Sequence, residues 1–133
     1  MVKDDDNKEV TAHQLIWGRE STQLFLQRHC TTAAEEEQTQ QQPKPQLFDV
    51  LLASDIIYAR VIVEPLWETV QELLRRTPEA VFVMAYARRD VPVTIDMVLE
   101  HAEECGFNHK LVDEHPEGIW VYEFRWKDEY IHS

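Results

Sequence analysis

With 133 residues and a formal net charge of −12, 25 acidic side chains against 13 basic ones, the chain is one small domain and a poor match for nucleic acid, whose phosphates require clustered Lys and Arg. No apolar run approaches the ~20 residues of a membrane span, and neither end reads as a secretory leader, so the sequence predicts a soluble, intracellular, cytoplasmic protein. Cys30 and Cys105 stand in dissimilar surroundings and predict two reduced, structural or incidental thiols.

Residues 1–9, with Asp4, Asp5 and Asp6 in a row, hold almost nothing to bury and predict a disordered acidic N-terminus. The domain proper is expected over 10–126, with 127–133 as a tail. Val10, Ala12, Gln14 and Ile16 alternate with a second set, Leu15 and Trp17, which predicts a short strand ending at Gly18. Ser21 as a cap, followed by Leu24, Phe25 and Arg28 at helical spacing, predicts a helix over 22–30. From 34 to 46 the chain is a biased run of Glu, Gln and Pro that offers no packed face, and it reads as a mobile loop.

Residues 48–58, FDVLLASDIIY, are where an apolar run ends abruptly in polar groups. Val50 to Ala53 do not alternate, the pattern of a parallel strand covered on both faces by helices. Ligands of such sheets gather beyond the carboxyl ends of the strands, which puts Ser54, Asp55 and Tyr58 at a ligand edge. Leu66, Val70, Leu73 and Leu74 predict a helix over 62–76, stopped by Thr77-Pro78. Residues 80–86 are a second continuous apolar run, again read as a buried parallel strand, with Arg88-Arg89-Asp90 as its polar exit. Ile95, Val98, Leu99 and Ala102, with Pro92 near the start and Gly106 as a stop, predict a helix over 92–105. Phe107 to Val112 and Ile119 to Trp126 flank a turn-rich stretch and predict an antiparallel hairpin. His109 and His115 beside Asp113 and Glu114 follow no ligand spacing, so no metal is expected.

These segments, in this order, resemble the C-terminal part of a seven-strand, class I S-adenosyl-L-methionine (AdoMet)-dependent methyltransferase, specifically the methyltransferase-like family of protein-lysine methyltransferases. Asp55-Ile56-Ile57-Tyr58 is similar to that family's Asp/Glu-x-x-Tyr motif after its fourth strand, and Leu15-Ile16-Trp17-Gly18 to its Leu-x-Trp-Gly segment ending the third. Residues 81–88, Gly106-Phe107 and Ile119-Trp120-Val121-Tyr122 resemble the fifth strand, the turn into the sixth, and the seventh. The resemblance implies an α/β fold: a partial Rossmann-like methyltransferase sheet, mostly parallel with a C-terminal antiparallel hairpin, lacking the first two strands. It implies AdoMet as cofactor, with Trp17 on the adenine side and Ser54 adjacent, and Asp55 and Tyr58 as catalytic residues on the substrate side. The family's glycine-rich turn after strand one and its ribose-binding acid after strand two have no counterpart. Gly18, Gly106 and Gly118 are the only glycines, and each is assigned elsewhere. AdoMet is therefore expected to bind this chain alone weakly or not at all.

Methyl transfer to lysine is an in-line displacement that needs an uncharged amine, although the amine's ordinary pKa is about 10.4. Asp55 is expected to orient the amine or relay its proton, and Tyr58 to wall the lysine channel. The competing expectation is a non-catalytic partner of a complete methyltransferase or of a basic peptide, with Asp55 capping a turn and Tyr58 packing under the next helix. Loss of the middle strands also predicts an open apolar edge at 48–53, which residues 10–17 either fold back to cover or exchange with a second molecule, the favoured expectation being the homodimer.

Overall fold

The computed structural model describes residues 2–3, 9–30, 46–57, 59–88 and 93–131. A two-residue ladder, β1 (Val2–Lys3) with β2 (Glu9–Val10), stands apart from the main sheet. There follow α1 (Arg19–His29), β3 (Val50–Ser54), α2 (Val63–Leu73), β4 (Val81–Ala87), α3 (Ile95–Glu104), β5 (Phe107–His115) and β6 (Ile119–Trp126). The main sheet has the order β3-β4-β6-β5, and its parallel pairing is confined to β3 with β4. Among the described residues, no helix is long and apolar enough to cross a membrane.

The strand expected over 10–17 ends at Val10, and residues 11–16 carry no regular structure. An extended segment becomes a strand only where a neighbour takes its backbone hydrogen bonds, and among the described residues none does. The following helix is capped by Gly18 and begins at Arg19, so Ser21 lies inside its first turn. α2 stops at Leu73 rather than 76, because Leu74 turns extended (φ −82°, ψ 126°), is fully buried and bridges in parallel to Phe48. A tertiary pairing there outweighs helical propensity. α3 starts at Ile95 rather than 92, where the Thr94 hydroxyl accepts the Met97 N–H at 3.4 Å. Pro92 and the rest of 89–92 lie outside the described residues. The hairpin is longer than expected: β5 reaches His115 and only Pro116, Glu117 and Gly118 form the turn.

The core lies on one face of the sheet. Trp67 of α2 packs against Phe82 of β4, Phe107 of β5 and Phe124 of β6, with ring centroids 4.8 to 5.7 Å apart. Val98 and Ala102 of α3 join the same cluster. The opposite face has no helix on it among the described residues, which corrects the expectation that β3 and β4 are covered on both sides. Val50 and Leu52 of β3 are 54% and 78% exposed, whereas Phe82, Met84 and Tyr86 on the covered face of β4 are buried. The two edges also differ. β5 carries Lys110, Asp113 and Glu114 and a bulge between Leu111 and Asp113, devices that discourage edge pairing, while β3 has none of them.

Gly106 closes α3 with φ +97°, and a Cβ there would come within 2.9 Å of the Tyr130 ring. Left-handed strain and steric overlap act together, so Gly106→Ala is expected to destabilise the fold by ~2–4 kcal/mol. Urea denaturation checks this, and an unchanged midpoint would mean that the ring moves aside without cost.

Candidate active site at the carboxyl end of β3

Asp55 ends β3 in the left-handed conformation (φ 54°), and its N–H donates to the Ala85 carbonyl of β4 at 3.2 Å. It is the one non-glycine residue with positive φ among those described, a strained placement of the kind that collects at functional sites. Two residues on, Ile57 is buried in the core and anchors the turn, so the exposed Asp55 side chain is held at the end of the parallel strand pair. Tyr58, the other residue expected to be catalytic, lies outside the described residues.

The two residues expected to touch a cofactor are placed differently. Ser54 is exposed and shares the bare face of the sheet with Val50 and Leu52. Trp17 is half-buried against the core, on the helix-covered face. Its position follows from a threonine clamp that sequence reading missed. The Gly18 N–H donates to Thr69 Oγ1 at 2.9 Å, while Thr22 and Thr69 each donate to the carbonyl four residues earlier, at 2.6 and 2.8 Å. Arg19 pairs with Glu72 at 2.6 Å. The head of α1 thus sits on the second half of α2, whereas Asp55 leads towards the first turn of α2. Nothing in the spacing of Thr22 and Thr69 marks them in advance, because their partnership exists only once the helices meet.

At the carboxyl end of β4, Tyr86 stacks on Trp120 of β6 with centroids 5.8 Å apart, and the Trp120 indole N–H donates to Glu114 Oε1 at 3.1 Å. The period of two along β4, which puts Tyr86 on the same face as Phe82 and Met84, was the available signal. A cavity of about 430 Å³ lies elsewhere, lined by His13, His29, Cys30, Phe48, Asp49 and Arg75 at the amino end of β3, away from the chemistry. Burial pushes the Cys30 thiol up. Burial first, and then Glu104, push the Cys105 thiol up as well. Neither sits in a setting that favours a reactive thiolate.

A mixed sheet with helices on one face and a strained carboxylate ending its parallel strand defines a partial, Rossmann-like α/β domain of the methyltransferase kind. The sequence profile of a family described as lysine methyltransferase matches residues 1–111, and the chain belongs to that family. The match ends at Leu111, inside β5. No curated protein matches the chain.

Methyltransferases of this type generally use AdoMet. The described residues do not fit the whole of that molecule: Trp17 packs against the core on the helix-covered side, Ser54 is exposed on the other face of β3, and the Gly18 N–H is already donated to Thr69 Oγ1. The 133 residues contain no Gly-x-Gly turn.

Proposed function

We propose that these residues are the lysine-side half of a protein-lysine methyltransferase fold, and that AdoMet is held mainly by a part they do not contain. The observation that carries this reading is Asp55, held in strained geometry at the carboxyl end of a parallel strand within a chain of lysine methyltransferase family. A carboxylate there would pair with the lysine ammonium, orient it and take up its proton as the amine becomes a nucleophile. Tyr58, by its place in the motif, would wall the same channel.

A titration of the 133-residue chain with AdoMet in a calorimeter tests the reading. No saturable heat is expected. Saturable binding at low micromolar AdoMet would overturn it, whereas binding that appears only with a second polypeptide would support a composite site.

A second reading, a non-catalytic binding protein, is favoured by the bare face and edge of β3. The alternate residues Asp49 and Asp55 bond to β4, so the backbone groups of Val50, Leu52 and Ser54 point outward. This edge is open to a second copy or to a different polypeptide. Light scattering at micromolar concentration decides: a stable dimer supports the homodimer, a monomer the different polypeptide.

A further inference from the structure

Four elements meet at the carboxyl end of β4: β4 itself with Tyr86, β6 with Trp120 and Tyr122, β5 with Glu114, and the start of α3 with Asp96. The Trp120 and Tyr86 rings are parallel to within 3°, and Trp120 is half-buried, so part of the indole meets solvent. Its N–H holds the Glu114 carboxylate beside the ring. Tyr86 and Tyr122 are 4% and 8% exposed, and neither hydroxyl is a buried polar atom left without a partner among the described residues. Burial pushes the Tyr122 phenol up, and Asp96, Glu114 and Tyr86 push it the same way, so its hydroxyl lies in the field of both carboxylates.

The chemistry of this corner is selective. An aromatic face attracts cations, and a carboxylate beside it adds charge and an acceptor. Anions are repelled, and a neutral apolar group would cover the carboxylate without pairing it. Asp96 also complements the N-terminus of α3, which is reason enough for its presence. Glu114 helps to guard the β5 edge, but edge protection needs only its charge; the hydrogen bond from the Trp120 indole also fixes its carboxylate beside the ring, and the two form the centre of the arrangement.

We infer that Trp120, Glu114 and the Tyr86 and Tyr122 hydroxyls form a subsite for a cationic side chain, a second lysine or an arginine on the protein whose target lysine Asp55 receives. The inference rests on the lysine-directed reading above. It adds that substrates carry a basic residue near the modified one. Both places lie at the same end of β4, whose Ala85 carbonyl accepts the Asp55 N–H and whose next residue is Tyr86.

An NMR titration of the isotope-labelled chain with ethylammonium chloride, the lysine side-chain head, tests this against a sodium chloride control. The Trp120 indole N–H is expected to shift saturably in the millimolar range with ethylammonium alone. Glu114→Gln keeps an acceptor for the indole but removes the charge, and it should weaken that response about tenfold. Glu20→Gln, on exposed α1, should leave it unchanged. A shift that sodium reproduces, or that survives Glu114→Gln, would overturn the subsite. The Asp55 amide reports separately on the lysine reading: movement there without movement at Trp120 sinks the subsite alone, and silence at both sinks the two together.

Discussion

Trp67→Ala is expected to abolish the cooperative unfolding transition. Trp67 is fully buried, and its ring touches β4, β5 and β6 together, through Phe82, Phe107 and Phe124. Truncating a buried Trp to Ala costs ~3–5 kcal/mol, and whole domains have only about 5–15 kcal/mol to lose. A sheet covered on one face belongs at the low end of that range. Trp67→Phe separates the causes. The indole N–H is buried without a partner among the described residues, so replacing it removes an unsatisfied donor as well as volume. The phenylalanine variant should therefore lose about 1–2 kcal/mol, less than shrinkage of a buried Trp otherwise implies. Thermal and urea melts followed by circular dichroism measure both. A cooperative Trp67→Ala variant with an unchanged midpoint would disprove the aromatic hub.

Asp55→Asn is expected to lower methyl transfer by a complete assembly about 10²–10⁴-fold while leaving cofactor affinity unchanged. Asn tolerates the left-handed conformation as Asp does, so the turn survives while the charge that would orient and deprotonate lysine is lost. Asp55→Gly should be equally inactive yet melt within about 1 kcal/mol of the parent, since relief of strain offsets the added chain entropy. Loss of function without loss of stability is the signature of a residue kept for chemistry. If Asp55→Asn instead turned over normally, the carboxylate would be a turn-forming group and the lysine site would have to lie elsewhere.

Much of the fold could be read directly. β4, α3 and the β5–β6 hairpin form where their apolar periodicity put them, with α3 starting three residues later and β5 running three residues further, and Asp55 sits where the break in the β3 run put it. The misplaced elements share one cause. A continuous apolar run such as Val50 to Ala53 fits a strand with both faces covered, yet whether a second layer of helices exists is not encoded in that run. The alternation at 10–17 likewise describes a strand only if a neighbour is present. Leu74 continues a helical stripe by spacing but becomes extended because Phe48 is within reach.

By itself the sequence determined the lysine methyltransferase lineage, the order of the elements and the acidic turn after β3, because these depend on residue type and local period. Tertiary structure alone decided that, among the described residues, the helices occupy one face and no strand pairs with the outer edge of β3, that Trp17 packs against the core while Ser54 is exposed, and that Trp120 meets Glu114. Those outcomes depend on which surfaces meet across long stretches of chain. Packing of the Trp67 hub settles that, with hydrogen bonds such as Gly18 to Thr69 fixing the angle at which α1 and α2 meet.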